Sequence, residues 1–490
     1  MTVRHLDVRR GSYHDSVTLM QVSRTVGDVD GVEAALVAMA TELNLDFLPA
    51  LGFDAGAVEA GPNDLLIAVR AGSDDALAQA LQALEAALTS SRRPSADTWG
   101  GEPPPRTTGD AVTATGARLA LVSTPGEHAF VESLDALRAG ANVMIFSDNV
   151  PLEAERRLKD EAAARGLLVM GPDCGTAIVA GVGLGFANVV RNGPVGIVAA
   201  SGTGAQQLTC LLDDAGIGIS HVLGVGGRDL SAAVGGASTV AALRALDADP
   251  ATELIVVLSK PPAPEVATRI EALAGELATP VVLGLLRPDG DDLTAVAGRV
   301  IEAAGGTAEP PAAWPVPDRA PRAGHLRGLF AGGTLASEAL ALAVRELGPV
   351  ASNLHLEGAT PLDGTSAARH VIVDLGEDEF TRGRPHPMID PSLRLERLAD
   401  ETARDDTAVL LLDVVLGHGA HPDPAGDLVP AIEAAVARGI HVVVSLCGSA
   451  GDPQDRDRQA SSLAGAGASV HLSNAEAARE AIRLTRGARP

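Results

Sequence analysis

The feature that most constrains the fold is residues 194–207, where an apolar run leads directly into a glycine-rich turn. The run has the character of a buried parallel strand, and the helical pattern after the turn places three leucines on one face. A helix that opens from a strand in this way directs backbone N–H groups and its positive dipole end at one point. Such an opening suits a phosphate, a carboxylate or an oxyanion. The alternative is a tight turn that needs glycine only for its backbone angles.

The same pattern occurs a second time, after an apolar strand at residues 326–331. The strings ASGTGAQQLTCLL and AGGTLASEALALA around the two helix openings indicate an internal duplication. Two helix ends facing one anion would stabilise a transferring phosphoryl or carboxyl-phosphate group better than one end alone. We therefore predict one phosphate site between the two openings. Its predicted residues are Ser201, Gly202, Thr203, Gly204, Gly332, Gly333 and Thr334.

Strand and helix patterns alternate along most of the chain, and this alternation favours an α/β fold class with parallel sheets. The length of 490 residues and two proline-rich linkers, at 90–110 and 308–324, indicate several domains. The predicted order is a small N-terminal α+β module at 1–92, a βαβ unit at 111–193, a third unit at 194–307 and a C-terminal unit at 325–490.

Polar residues follow the predicted strands of the βαβ unit. In open parallel sheets, ligands bind beyond the carboxyl ends of the strands, so these residues are candidate substrate-binding groups. Capping of the following helices is the alternative role for such side chains. The candidates are Asp148, Asn149, Asp173, Cys174 and Thr176.

The third unit carries further groups suited to an anion at the ends of its strands. Gly226 and Gly227 allow close backbone approach, Arg228 follows them, Lys260 ends the next strand, and Arg287 follows the fourth. We predict that the glycines and the lysine bind phosphate and that Arg228 acts in catalysis, since four consecutive strand ends agree. The alternative for Arg228 is an ion pair with its neighbour, Asp229.

A stiff, charged loop lies at residues 381–391. Three prolines fix its backbone, and it presents Arg384, His386 and Asp390 within a few residues of one another. Rigid presentation of arginine and histidine suits recognition of a carboxylate or a phosphate. We predict these three residues to be catalytic; the alternative is a rigid surface loop with solvated charges.

Composition limits the classes of partner. The formal net charge of -25 argues against a nucleic-acid or anionic-membrane surface. The three cysteines show neither metal-ligand spacing nor a disulfide framework, so we predict no metal and a reduced, cytoplasmic location. The N-terminus has no apolar leader segment, and no run of 18 apolar residues occurs.

Taken together, these motifs resemble the acyl-CoA synthetase superfamily typified by succinyl-CoA synthetase, and within it the FdrA family. The resemblance covers nearly all of the chain, and the string GRPHPMIDP at 383–391 is its most specific part. The other segments that carry it are 144–150, 168–176, 185–189, 200–204, 226–231, 259–262, 332–335 and 411–415.

The resemblance implies a Rossmann-like CoA-binding-type unit at 111–193 and flavodoxin-like ligase units at 194–307 and 325–490. Synthetases of this kind carry a phosphohistidine after the strand that corresponds to 280–286, whereas Arg-Pro-Asp-Gly follows that strand here. The glycine-rich CoA loop and the nucleotide-binding ATP-grasp domain are also missing from the pattern. No cofactor is therefore assigned; phosphate or carbamoyl phosphate is the expected substrate, and CoA stays an open possibility.

FdrA-family proteins are similar to a subunit of oxamate carbamoyltransferase, an enzyme of allantoin breakdown. The resemblance thus implies an enzyme subunit that converts oxalurate and phosphate to oxamate and carbamoyl phosphate, in a homo- or hetero-oligomeric complex with partner subunits. On that basis Arg384 or Arg228 would hold the oxalurate carboxylate, and His386 would transfer a proton. Two alternatives remain: an acyl-CoA synthetase that works through an acyl phosphate, and a non-catalytic assembly subunit.

Overall fold

A computed structural model describes residues 2–54, 59–91, 105–286, 290–316, 319–363, 369–382 and 384–485. The predicted strand-end residue Arg287 lies outside these ranges. The chain divides into two compact units. Met1–Thr107 and Asp378–Asp390 form the first unit, and Thr108–Glu377 and Pro391–Pro490 form the second. Among the described helices, none combines the length and apolar character needed to cross a bilayer.

The first unit is built around a three-stranded antiparallel sheet with the strand order β1-β3-β2. Leu19, Val22 and Val26 recur at helical spacing on the first helix and pack against this sheet, which explains why a short helix is stable here. The predicted small α+β module is therefore confirmed. Its elements are the strands Val3–Arg9 (β1), Val32–Met39 (β2) and Leu65–Ala71 (β3), the helices Ser16–Gly27 (α1), Glu42–Phe47 (α2) and Asp74–Ser91 (α3), and a 3₁₀ turn at Leu48–Leu51.

The second unit begins with a small parallel sheet of three strands in the order β4-β5-β6. Its strands are short and its core is formed mainly by alanine, valine and leucine side chains from strands and helices. The elements are the strands Leu119–Val122 (β4), Asn142–Ile145 (β5) and Val169–Met170 (β6), and the helices Thr108–Thr115 (α4), Gly126–Arg138 (α5) and Leu152–Arg165 (α6).

A six-stranded sheet follows, with the order β12-β11-β9-β10-β7-β8. The first four strands of this order are parallel, and the β7–β8 hairpin adds to one edge in the antiparallel sense. The elements are the strands Thr176–Val179 (β7), Val182–Gly185 (β8), Asn192–Ala200 (β9), Ile219–Gly224 (β10), Leu254–Ser259 (β11) and Val281–Leu285 (β12), and the helices Gly202–Asp214 (α7), Ala237–Asp247 (α8), Pro264–Ala274 (α9) and Leu293–Ala303 (α10).

The third sheet of this unit has eight strands in the order β13-β20-β19-β18-β14-β17-β15-β16. All its strand pairs are parallel except that between β13 and β20, and β13 comes from the segment predicted as the second linker. The strands are Ala313–Trp314 (β13), His325–Phe330 (β14), Val350–Ser352 (β15), Ala359–Pro361 (β16), His370–Asp374 (β17), Thr407–Val415 (β18), His441–Cys447 (β19) and Ser469–His471 (β20). The helices are Gly333–Leu347 (α11), Asp378–Thr381 (α12, in the first unit), Ser392–Ala403 (α13), Pro424–Ala437 (α14), Arg456–Gly465 (α15) and Asn474–Thr485 (α16).

The α/β class with parallel sheets is thus confirmed. Both glycine-rich turns singled out in the sequence lie where predicted, between a buried strand and a helix: β9 leads into α7, and β14 leads into α11.

Candidate functional site

The opening of helix α7 is held by Ser201. Its backbone is extended, and its hydroxyl accepts a hydrogen bond from the Gly204 N–H at 3.1 Å, which satisfies one of the first-turn donors. The first-turn side chains are buried, including Thr203. The Thr176 hydroxyl lies beside this opening, because a Cβ placed on Gly202 would be 3.5 Å from Thr176 Oγ1. The turn therefore presents backbone donors and hydroxyls rather than apolar groups.

The opening of helix α11 is held by a carboxylate from the neighbouring strand. Asp413 on β18 accepts hydrogen bonds from the N–H groups of Ala331 and Gly332, each at 2.8 Å. Gly332, the residue before the helix, has no side chain to cap it. The N–H groups of the first helical residues are therefore left without an intrahelical acceptor, as at any helix N-terminus.

The two openings meet. Ser201 Oγ and Thr334 Oγ1 lie 2.6 Å apart, and a Cβ on Gly332 would lie 2.9 Å from the Thr203 methyl group. A Cβ on Gly204 would likewise lie 3.0 Å from the Thr334 methyl group, so glycine is needed for this close approach. The predicted convergence of two helix ends is what the structure shows. That they bind an anion stays a prediction.

The paired hydroxyls leave a donor for a ligand. Each carries one proton, and only one of the two protons is used in the bond between Ser201 and Thr334. Whichever hydroxyl donates, the other keeps its proton free for a third group. Together with two helix dipoles, this donor makes the junction attractive for an anion.

Two charged side chains border the α11 opening. Asp374, the last residue of β17, and Lys260, just after β11, both lie within 4 Å of the position that a Cβ would take on Gly333: Asp374 Oδ2 at 2.7 Å and Lys260 Nζ at 3.9 Å. Asp374 is buried, and burial raises the pKa of its carboxyl to about 7. Lys260 is exposed and opposes this rise. Lys260 is among the residues predicted from the sequence, whereas Asp374 is not.

The predicted substrate-binding residues of the βαβ unit lie around the turn after β6. The Asp173 N–H donates to Ser147 O and the Cys174 N–H donates to Ile145 O, so this turn is joined to the end of β5. Asp173 is exposed. Asn149 and Asp173 both have left-handed backbones, a conformation that costs free energy in residues other than glycine.

Cys174 is less accessible than the residues around it. Its thiol is buried, donates to Thr176 O at 3.5 Å, and has a pKa that burial raises to about 12. Such a thiol stays protonated at neutral pH and has the character of a packing group. Gly226 lies against the same turn, since a Cβ there would contact Pro172 O, whereas Gly227 has open space beside it. The turn after β6 and the end of β10 are therefore brought together.

Arg228 is engaged in an ion pair, although not with Asp229. Arg228 Nη2 lies 2.9 Å from Glu155 Oε2 and donates to Val150 O at 2.7 Å. Asp229 pairs instead with Lys159, whose Nζ is 2.8 Å from both Asp229 Oδ1 and Glu155 Oε1. The Arg228 side chain keeps about half of its surface exposed (48%), so part of its guanidinium faces solvent. The alternative of a local Arg228–Asp229 pair is wrong.

Arg384, His386 and Asp390 belong to the first unit, whereas the helix openings belong to the second. Within the first unit, Arg24 Nη1 donates to Ile389 O at 2.7 Å, and the Arg384 guanidinium lies 6.0 Å from the Phe47 ring centroid. His386 Nδ1 accepts from the Met388 N–H at 3.2 Å, which leaves its Nε2 as the proton-bearing atom of the neutral ring. The catalytic roles of these three residues stay predictions. Gly383 lies outside the described residues.

The chain matches two family models. One, described as the heavy metal-associated domain of AllF, covers residues 1–104, and the other, described as CoA-ligase, covers residues 329–484. YahF of Escherichia coli (strain K12), described as an uncharacterized protein, is 37% identical over 492 residues, which is 94% of each chain.

Two ligase subunits match over a smaller part of the chain. Succinate–CoA ligase (ADP-forming) subunit alpha 2 of Archaeoglobus fulgidus is 29% identical over 41% of this chain and 70% of its own. Malate–CoA ligase subunit alpha of Methylorubrum extorquens is 27% identical over 42% and 72%. Among solved structures, the dinucleotide-forming acetyl-coenzyme A synthetase 1 of Ca. Korarchaeum cryptofilum aligns at 16% identity over 80% of this chain and 87% of that one, with a TM-score of 0.31.

The fold, the duplicated helix openings and these matches define an α/β protein of the acyl-CoA synthetase superfamily, with a CoA-ligase domain near its C-terminus. Within that class, the chain belongs to the FdrA family, which it shares with YahF. The resemblance predicted from the string at 383–391 is confirmed.

The name of the N-terminal family model implies a heavy metal, and the residues present do not fit one. Soft metals prefer thiolate ligands, and residues 1–104 contain no cysteine. Across the described part of the chain, no group of three His, Cys, Asp or Glu side chains is placed to hold a metal.

CoA also fits poorly at the first strand-to-helix turn of the second unit, between β4 and α5. The turn between β4 and α5 contains a single glycine, Gly126, and a Cβ there would contact Asp148 O. The space at this turn is thus taken up by the loop after β5, and no glycine-rich cradle for a pyrophosphate is present in it.

Proposed function

We propose that this chain is the phosphate-binding subunit of an oxamate carbamoyltransferase, which converts oxalurate and phosphate to oxamate and carbamoyl phosphate. The observation that carries the proposal is the 2.6 Å approach of Ser201 and Thr334 at two converging helix ends. The formation of an acyl phosphate passes through a tetrahedral intermediate whose negative charge is spread over the phosphate oxygens and the former carbonyl oxygen. Two dipoles and a free hydroxyl proton at one point are suited to stabilise that charge.

The sequence after β12 supports a mechanism without a phosphohistidine. No histidine occurs at 286–292, where synthetases of the resembled superfamily carry one. Direct attack of bound phosphate on the carbamoyl carbon of oxalurate needs no phosphorylated side chain. In this proposal Lys260 neutralises the phosphate charge, and Arg228 or Arg384 holds the oxalurate carboxylate, as arginine does well in a bidentate geometry.

His386 is the proposed carrier of a proton in the same reaction. An imidazole side chain is suited to proton transfer near neutral pH. Asp390, four residues further on, is proposed to orient the ring or the substrate. These two roles rest on the chemistry of the side chains and on the family resemblance of the string GRPHPMIDP at 383–391. They are tested by replacing each residue in the assembled complex.

The direct test is an assay of the complex. The chain is purified together with the products of neighbouring genes, and carbamoyl phosphate is measured after addition of oxalurate and phosphate without nucleotide or CoA. Formation of carbamoyl phosphate under these conditions supports the proposal. A complex that needs ATP or CoA for any turnover contradicts it.

The helix junction is tested by the double variant Ser201→Ala/Thr334→Val, which removes both hydroxyls, because either hydroxyl alone would still offer its proton to the phosphate. A hydrogen bond to a charged group contributes about 1.5–3 kcal/mol, so we expect the phosphate KM to rise roughly tenfold or more. The matched control is the double variant Ser220→Ala/Thr252→Val. Thr252 belongs to another buried hydroxyl pair, 2.8 Å from Ser220 Oγ, at the opposite ends of the strands. Equal kinetics in the two variants would exclude the junction as the phosphate site.

A second candidate is an acyl-CoA synthetase acting through an acyl phosphate. It is favoured by the CoA-ligase family model at 329–484 and by the succinate–CoA and malate–CoA ligase relatives. It predicts that CoA raises the melting temperature and that labelled phosphate remains on a histidine after denaturation. A non-catalytic assembly subunit predicts instead that complex activity is unchanged when Ser201, Thr203 and Thr334 are all replaced by alanine.

A further inference from the structure

Asp374 lies at the α11 opening without belonging to the turn that forms it. Strand β17 pairs with β14 in a register that places Asp374 opposite Phe330, just before the glycine turn. The side chain is only 3% exposed. Its Oδ1 accepts the Gly376 N–H at 2.9 Å, while Oδ2 points to the Gly333 position, 2.7 Å from where a Cβ would be.

The two oxygens of this carboxyl have different surroundings: Oδ1 accepts the backbone N–H of Gly376, whereas Oδ2 faces the α11 opening. The buried carboxylate of Asp413, at the same opening, accepts two backbone N–H groups and lies 3.1 Å from Arg394 Nη1. Asp374 Oδ2 and Lys260 Nζ both border the first turn of α11, 2.7 and 3.9 Å from the position of a Gly333 Cβ. A carboxyl oxygen at this position is placed to exchange a proton with a ligand bound at the helix opening.

The charges around Asp374 act in opposite senses. Burial, Glu377 and Asp413 raise the pKa of its carboxyl, whereas the Gly376 N–H and Lys260 lower it, and the balance is about 7. The Arg394 guanidinium favours the charged form of Asp413, the neighbour that raises the pKa of Asp374. The carboxyl is thus part protonated at neutral pH, which is the condition for both giving and taking a proton.

We infer that Asp374 is a catalytic residue that protonates the leaving amide nitrogen of oxamate, an inference that rests on the proposed function. A phosphate oxygen forms a bond to the carbamoyl carbon of oxalurate. The bond from that carbon to the amide nitrogen breaks, and its electron pair goes to the nitrogen. The proton passes from Asp374 Oδ2, rather than from His386, to this nitrogen, and the proton of the attacking hydrogen phosphate returns to the Asp374 carboxylate, so atoms and charge balance.

The uptake of a proton when an anion binds tests the role of Asp374 without requiring catalytic turnover. A bound anion raises the pKa of a neighbouring carboxyl, so anion binding at pH 7.5 should draw a proton from solution. Sulfate is the probe because it does not titrate at this pH. Calorimetric titrations in two buffers of different ionisation enthalpy give the number of protons taken up. We expect uptake with the wild type and with Asp405→Asn, an exposed control carboxylate, and its loss in Asp374→Asn.

Kinetics of the complex supply the second measurement. Asp374→Asn should lower kcat for carbamoyl phosphate formation about 10²-fold or more and change the phosphate KM only a few-fold, since general acid catalysis contributes 10²–10⁴-fold. Asp374→Glu should recover part of kcat if the carboxyl is required. A folded, partly active Asp374→Glu variant would show that the loss of activity in Asp374→Asn is not caused by unfolding. Asp405→Asn should keep wild-type kcat.

The outcomes separate this inference from the proposed function. A wild type that binds sulfate without proton uptake, or an Asp374→Asn complex with wild-type kcat, overturns the role of Asp374. A complex that makes no carbamoyl phosphate, although sulfate binding still takes up a proton through Asp374, overturns the proposed reaction and leaves Asp374 as the proton-binding partner of the anion.

Discussion

Arg394 Nη1 lies 3.1 Å from Asp413 Oδ1, and the two side chains are 3% and 0% exposed. This buried ion pair supports the α11 opening, because the same Asp413 carboxylate accepts the N–H groups of Ala331 and Gly332. Burial raises the pKa of Asp413, and the Arg394 guanidinium opposes that rise. The α11 opening therefore depends on the Asp413 carboxylate, and this carboxylate in turn depends on its ion pair with Arg394.

Arg394→Met should be strongly destabilising, because it leaves a buried carboxylate without a counter-charge. We expect the free energy of unfolding from urea titration to fall by about 3–5 kcal/mol. The double variant Arg394→Met/Asp413→Asn should recover part of this loss, since no uncompensated charge remains. Arg458→Met, which breaks the exposed pair with Asp423, is the control and should cost about 0–1 kcal/mol. A loss below about 1 kcal/mol for Arg394→Met would show that the pair is not needed.

Glu338 on α11 should make stability fall with rising pH. Its carboxyl is buried, accepts from the Leu293 N–H at 2.6 Å and from Asn474 Nδ2 at 2.7 Å, and has a pKa that burial raises from 4.5 to about 7. Nearby Asp292 raises this pKa and Arg479 lowers it. Because the folded-state pKa lies above the unfolded value, the stabilisation is complete below pH 4.5 and is lost as pH rises to about 7.

The measurement compares wild type with Glu338→Gln by urea unfolding at pH 5, 6 and 7. The wild type should lose up to about 1.4 kcal/mol per pH unit relative to the variant, which cannot titrate at this position. Glu302→Gln, at an exposed position on α10, should follow the wild type. Parallel curves for wild type and Glu338→Gln would mean that the carboxyl titrates normally.

The helix openings were predictable because their signal is local. A buried strand followed at once by glycine, serine or threonine and then by a helical pattern determines where N–H groups point, whatever the rest of the fold does. The α+β module and most strands of the parallel sheets were predicted for the same reason. Helix α4 was missed because it begins at Thr108, inside a segment judged a linker from its glycine and proline content.

Asp374 and Asp413 could not be found in this way. Asp374 reaches the α11 opening because β17 pairs with β14, and Asp413 reaches it because β18 pairs with the other edge of β14. Local sequence patterns do not predict which strands pair when the strands are far apart in the sequence. No local pattern indicates that Glu155 lies beside Arg228, because Glu155 on α6 has the spacing of an ordinary surface pair with Lys159.

His370 should make stability fall with falling pH, the reverse of Glu338. Its Nδ1 accepts the Leu326 N–H at 3.0 Å, and its ring lies 5.3 Å from that of His325. Burial, His325 and Arg327 lower its pKa to about 4. Since the folded-state pKa lies below the unfolded value of 6.5, its contribution is present above pH 6.5 and is lost as pH falls towards 4.

His370→Asn keeps an acceptor for the Leu326 N–H and removes the titration. Between pH 6.5 and 4.5 we expect the wild type to lose up to about 1.4 kcal/mol per pH unit relative to this variant, measured by urea unfolding. His355→Asn, at an exposed position, should behave as the wild type. If His370→Asn and wild type lose stability equally over this range, the ring is not held neutral by its surroundings.

Arg24 should hold the 384–390 loop in place within the first unit. Helix α1 of the N-terminal module supplies Arg24, whose Nη1 donates to Ile389 O at 2.7 Å. The Arg24 guanidinium also lies 3.5 Å from the Asp28 carboxylate. The structure thus links the module to the loop that carries Arg384 and His386. Arg24→Ala removes the donor and leaves the Ile389 carbonyl unpaired, which costs about 1–3 kcal/mol locally.

Hydrogen exchange read by mass spectrometry is the suitable measurement, because local opening precedes any change in global stability. We expect amides in peptides covering 384–390 to exchange roughly tenfold or more faster in Arg24→Ala, with peptides from β14 and β18 unchanged. Arg244→Ala, at an exposed position on α8, is the matched control and should leave the loop at the wild-type rate. Unaltered exchange at 384–390 in Arg24→Ala would show that the prolines, which restrict the backbone by themselves, are sufficient to hold the loop without the module.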